Sequence, residues 1–209
     1  MTKQPSKAVT VLRDEGLVEV GKEYAELVID TFMSDGFLKD VPVVGTLVAL
    51  WKGGQTVSDQ IFLRKIDAFL QGFDGQEKEK IKAMVDRLNT DESFRGRVGD
   101  VLIDLLNKMS VEKQPRMLAM AFRAYADAEI TGLELRRLAV AIERFPSFEL
   151  GSLRPFYEAE IPEKVKADKS FLLALSAAGL AMNNGGFDGG VSLPTPTFDL
   201  FMQLGLDTI

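Results

Sequence analysis

Apolar positions recur three and four residues apart over most of this chain, the period of amphipathic helices rather than of strands. From about Ala8 to Met33, Leu17, Val20, Tyr24, Leu27 and Thr31 fall on one side, while Glu15, Glu19, Glu23, Glu26 and Asp30 gather on another. Further on, Ile61, Phe62, Ile66, Phe69, Leu70 and Phe73 make a wide apolar stripe. Asp74 and Glu77 then have the spacing of a capping box, opening a helix whose inner face is Ile81, Met84, Val85 and Leu88. The clearest helical pattern runs from Phe94 to Met109, with Val98, Val101, Leu102, Leu105, Leu106 and Met109 in register. Ser110 and Pro115 start the next helix, through Met117, Ala121, Phe122 and Tyr125. Thr131 and Glu134 predict a second capping box, for a helix ending near Phe145. The expected fold is mainly α, a multi-helix bundle with a small C-terminal β-hairpin.

Pro146, Gly151, Pro155 and Pro162 interrupt this regularity, which divides the chain into a helical bundle over 1–150 and a C-terminal part over 151–209 packed on it. That part is expected to hold a helix from about Asp168 to Met182 and two short strands around the glycine-rich tip Asn183–Gly190. A capped helix from Thr197 to Gly205 follows. Helix, strand, tip, strand and helix is an order that resembles the wing of bacterial winged-helix proteins. A wing that reads DNA must meet phosphate with positive charge. No Lys or Arg follows Lys169, whereas Asp188, Asp199 and Asp207 do, so the element is expected to serve protein contact or packing.

One segment departs from the helical period. Residues 37–51, FLKDVPVVGTLVALW, are nearly all apolar, and Pro42 and Gly45 disfavour a continuous helix. A bilayer crossing takes about 20 apolar residues. Here Lys39, Asp40 and Lys52 bracket a shorter run. Burial in the core, contact with a membrane interface and an oligomer seam all remain open for it. As a contact surface it would use Phe37, Val43, Val44, Leu47 and Trp51, and the acidic strip Glu15, Glu19, Glu23 and Glu26 would serve as a docking strip for a basic partner.

Composition narrows the chemistry. The chain has neither histidine nor cysteine, which removes His-dependent nucleophilic catalysis, thiol redox chemistry, disulfides and Cys/His zinc sites. A net charge of -6 argues against nucleic acid as a partner. The N-terminus, MTKQPSK, runs into charged helix and not into a secretory signal, so a cytoplasmic location is expected, with peripheral membrane contact through 37–51 as an addition. Carboxylates are the remaining candidates for catalysis or metal binding: Asp100 with Asp104, or Asp127, Glu129 and Glu134. The second group mimics a calcium loop but fails its positions. With Glu134 as the closing ligand, the first and third ligands fall on Arg123 and Tyr125 and the required glycine falls on Ala128. A helix-turn-helix connector explains these residues better.

The run 35–45, DGFLKDVPVVG, with 58–70, SDQIFLRKIDAFL, and the later pieces 94–99, 122–125 and 177–180, resembles an uncharacterised family of small helical bacterial proteins associated with phage-defence loci. The turn 127–134 is also similar to acidic turns of tellurite-resistance TerB-like helical domains, where clustered carboxylates hold a metal. Here only Asp127, Glu129 and Glu134 could take part, fewer oxygens than a hard cation wants. The resemblance implies a setting in bacterial defence and no catalytic residues to carry over. The missing His and Cys, the acidic charge and the helical bundle then suit a non-enzymatic protein-interaction component of a defence or stress system, expected without cofactor or metal and binding another protein or a second copy of itself. The alternatives are a membrane-acting, abortive-infection-type effector using 37–51, and a phage-encoded inhibitor of a host defence protein.

Overall fold

The computed structural model describes residues 60–73, 78–91, 98–110, 113–185 and 190–209. Within them the fold is mainly helical, with a small two-stranded sheet near the C-terminal end. The bundle comprises α1 (Gln60–Gln71), α2 (Lys78–Thr90), α3 (Val98–Lys108), α4 (Lys113–Ala126) and α5 (Gly132–Arg144). The island 37–51, the acidic strip 15–30 and the Asp74/Glu77 pair lie outside the described residues.

Helix α4 is the centre of the bundle, and α1, α2 and α5 all pack against it. Its sequence explains this. Met117, Leu118, Ala121, Phe122 and Tyr125 are buried, and the small residues Ala119 and Ala124 let neighbours approach closely. At Ala119 the approach is extreme, because a Cβ placed on Gly72 would stand 2.3 Å from the Ala119 Cβ. The aromatic stripe foreseen in α1 is buried there, with Phe69 meeting Phe73 and Phe122 edge to face at 5.2 and 5.8 Å. Each such buried ring removes a large apolar area from water, worth about 1.5–3 kcal/mol per side chain.

Both ends of the α4–α5 connection are capped by local chemistry. Helix α4 closes with the Glu129 N–H on the Ala124 carbonyl (2.9 Å) and the Ala128 N–H on the Tyr125 carbonyl (3.1 Å), a Schellman arrangement with Ala128 at φ 61°. Helix α5 opens with the expected box: the Glu134 N–H donates to Thr131 Oγ1 at 3.2 Å, and the Thr131 N–H donates to the Glu134 carboxylate at 2.7 Å.

Beyond Phe145 the chain runs through a 3-10 turn (Ser147–Ser152) and two short helices, α6 (Leu153–Glu158) and α7 (Ile161–Val165), into α8 (Lys169–Ala177). Asp168 caps α8 by accepting from the Ser170 and Phe171 N–H groups. This helix is shorter than its apolar pattern suggests. It was expected to run to Met182, but a second Schellman arrangement stops it, with Gly179 at φ 72° and the Leu180 N–H on the Leu175 carbonyl at 2.8 Å. Met182 therefore lies in β1 (Ala181–Asn183), which pairs antiparallel with β2 (Ser192–Pro194). Thr195 then caps α9 (Pro196–Gln203), with proline in its first turn.

Helix α9 packs on α5, and the buried side chains, from Phe62 in α1 to Leu206 after α9, form one cluster. Phe145, Phe156, Phe171 and Phe198 interlock within it. Lys164 is buried beside them and is accommodated by donating to the Tyr157 and Ala159 carbonyls, with Nζ over the Phe156 ring.

Candidate functional site

Helix α5 buries Leu135, Leu138, Ala139, Ala141 and Ile142, and its opposite face is not uniformly polar. Leu133 and Val140 lie in line there, two turns apart, and are 54% and 39% exposed. Arg136 and Arg137, both exposed, stand on either side of that line. A solvated helix face would carry polar groups at the two central positions. Hydrophobic residues at both, alternating with guanidinium groups, make a surface that can bury area and read charge together.

The neighbouring elements turn this face into a groove. On one side a hollow of about 530 Å³ is lined by Leu133, Arg136, Arg137, Val140, Ala178, Gly179 and Thr197, so its far wall is the end of α8 and the start of α9. On the other side a smaller hollow of about 130 Å³ lies between α5 and α3, with Val101, Leu105, Phe122 and Ala139 in its walls. The two share Arg136 and Val140. Val101 is itself 39% exposed, which extends the apolar floor onto α3. Among the described residues, the arginines are the only charged groups lining either hollow. Such a shape suits the apolar face of a helix, with carboxylates meeting the arginines.

Of the carboxylates proposed from the sequence, Glu134, Asp127 and Asp104 are engaged in structural contacts, and the Asp100 side chain lies outside the described residues. Glu134 is held by the Thr131 N–H and hydroxyl, and these bonds keep its carboxyl below the usual range. Asp127 pairs with Lys80 at 3.2 Å, and Glu129 is exposed. Asp104 accepts from Lys108 one turn away at 2.6 Å. Among the described residues no group of three or more carboxylates is placed to hold a metal ion. The connector is thus a capped helix-turn-helix, as its residue positions suggested.

A polar cluster joins α2 to this connector. Arg87 donates to the Tyr125 carbonyl at 2.5 Å and lies over the Tyr125 ring at 4.2 Å. The Tyr125 hydroxyl donates to Asp91 at 3.0 Å. Burial, followed by the bond to Asp91, pushes the Tyr125 phenol up to about 12. Asp91 also fills the space beside Gly132, where a Cβ would meet its carboxylate oxygen at 2.2 Å. These contacts fix α2 against the start of α5.

The expected contact residues Phe37, Val43, Val44, Leu47, Trp51, Glu15, Glu19, Glu23 and Glu26 all lie outside the described residues. Among the described residues no helix is long and apolar enough to cross a membrane. The groove on α5 was not foreseen. Its signal was present as the row Leu133, Arg136, Arg137, Val140, but two adjacent arginines on an amphipathic helix look like an ordinary solvated face until the flanking walls are known. Comparison with known proteins does not supply an identity, for no family model matches the chain, nor does any curated protein or solved structure.

Proposed function

We propose that this protein acts by binding another protein, without catalysis, and that the α5 groove is the surface that does so. The observation that carries this is the exposed apolar line Leu133–Val140 set between two hollows, with Arg136 and Arg137 as charged groups in their lining. Exposed hydrophobic residues gathered in a concave surface are costly in water unless something covers them. The absence of histidine and cysteine from the sequence and the structural use made of Glu134 and Asp127 also favour binding over chemistry. The setting we propose is the bacterial defence or stress system that the sequence resemblance implies.

The experiment is a selection of displayed helical peptides against the full chain and against its Leu133→Asp and Val140→Asp variants. Both positions are exposed, so the variants should keep the thermal midpoint of the parent. Peptides enriched on the parent should lose roughly 30-fold or more in affinity for either variant, the size of a central interface anchor. Enriched peptides that bind parent and variants equally would exclude the groove as the docking surface.

A further inference from the structure

We infer that Met182 is a reversible oxidation site, a thioether held in solvent so that a peroxide converts it to the sulfoxide and a reductase restores it without unfolding the chain. The inference is independent of the groove on α5 and starts from the sulfur atoms. The sequence has no cysteine, so the sulfur chemistry of this protein rests on methionine. Among the described residues, Met84, Met109, Met117 and Met202 are buried and Met120 is half-buried, whereas Met182 is 68% exposed.

The hairpin fixes this exposure. Ala181 is buried, and Met182, next along β1, points to the opposite side of the sheet. Met182 lies opposite Leu193, and the strand pair is held on both sides of that position. The Thr195 N–H donates to the Leu180 carbonyl at 2.9 Å, and the Asn184 N–H donates to the Val191 carbonyl at 3.0 Å. A slip of one residue would turn Met182 inward and bring the buried Ala181 out, so the register that buries one exposes the other. A methionine so placed buries little apolar area. What it adds to the strand is a polarisable sulfur open to solvent.

The reaction balances with hydrogen peroxide as the oxidant. A sulfur lone pair attacks one peroxide oxygen, and the S–O bond forms as the O–O bond breaks. The departing hydroxide takes the proton from the transferred oxygen and leaves as water. Sulfur loses an electron pair and the peroxide gains it. In the reverse direction a dithiol reductase returns the pair: its thiols become a disulfide and the oxygen leaves as water. Position decides what the fold suffers. At Met117, in the centre of the bundle, the polar S=O group would have to enter the core without a partner. At Met182 the same group meets water, and the backbone bonds that hold the hairpin are untouched.

The test treats the full chain with hydrogen peroxide, quenches it at intervals, and maps the digested protein by mass spectrometry. Met182 should gain oxygen at least roughly tenfold faster than Met117 and Met202, which react only when the fold opens. In urea, where the chain is unfolded, the rates should converge. Protein carrying the sulfoxide at 182 should keep its thermal midpoint to within about 2 °C, the scale of a surface change. Methionine sulfoxide reductases of both epimer specificities, supplied with dithiothreitol, should then remove the oxygen from the folded chain. Met182 reacting no faster than Met117 in the folded chain would overturn the inference. A larger fall in the midpoint, or a sulfoxide that the reductases reach only after urea is added, would overturn it as well.

Discussion

Replacing Gly72 by alanine places a methyl group where α1 and α4 touch. The new Cβ would lie 2.3 Å from the Ala119 Cβ and 3.1 Å from the Phe69 carbonyl oxygen. Carbon atoms in contact settle at about 3.5–4.0 Å, so the helices must part by roughly 1.2 Å or more. Neither neighbour can yield, since Ala119 has no side-chain torsion and Phe69 presents backbone. The movement would also strain the Arg123 bond to the Gly72 carbonyl (3.1 Å) and the Phe69–Phe122 contact. Overpacking of this kind costs about 1–3 kcal/mol. At about 2–4 °C per kcal/mol for a chain of this size, the thermal midpoint should fall by about 2–12 °C. Urea unfolding followed by circular dichroism measures the loss directly. The partner variant Ala119→Gly removes the obstructing methyl. On its own it should cost about 1 kcal/mol through helix propensity. In its presence Gly72→Ala should cost at least about 1 kcal/mol less than in the parent, because the clash is gone. The same loss in both backgrounds would refute the steric argument.

Three further outcomes follow from the caps and the Tyr125 cluster. Glu134 is held below its ordinary value of 4.5 by the Thr131 bonds, so its contribution is present above that pH and is lost as pH falls through the lower folded value. Glu134→Gln, which keeps a capping side chain but cannot titrate, should therefore lose less stability than the parent between about pH 5 and pH 3, as measured by urea midpoints. Tyr125→Phe should cost about 1–1.5 kcal/mol for the lost bond to Asp91. Because the folded phenol titrates at about 12 against an ordinary 10, the parent loses stability as pH rises through that interval, and the variant should lose less. Ala128 holds a left-handed φ of 61° at the end of α4, so Ala128→Gly should stabilise the protein by about 0.5–1 kcal/mol, visible as a higher thermal midpoint.

The parts of the fold that were legible in the sequence are those decided by neighbours in the chain. Thr131 and Glu134 cap each other across three residues, and no distant element is needed to see it. The hairpin was visible from its glycine-rich tip, and α3 and α5 from their periodicity. The end of α8 was placed too far along because Leu180, Ala181 and Met182 continue an apolar run, and Gly179 had to be recognised as a left-handed stop and not as a weak helical residue. The groove was hidden for a different reason. Leu133 and Val140 are distinguished only by what lies beside them, and those walls come from Val101 and Leu105 earlier in the chain and from Ala178 and Thr197 later in it. Sequence periodicity assigns a face to a helix, but it does not say whether the face lies open or recessed.

Gln114, in the first turn of α4, has a consequence for that face. Its buried amide group donates to the Ile142 and Phe145 carbonyls at 2.5 and 3.1 Å, and its oxygen accepts from the Ser110 N–H at 2.6 Å. One side chain thus ties the end of α5 to the start of α4, while the capped turn ties them at the other end. Sliding α5 by a single turn, about 5.4 Å, would strip the amide of its acceptors inside the core. The two helices are pinned like a ruler at both ends. Leu133, Arg136, Arg137 and Val140 accordingly keep a fixed height against α4, so the groove proposed as a docking surface would have its shape set before any partner arrives.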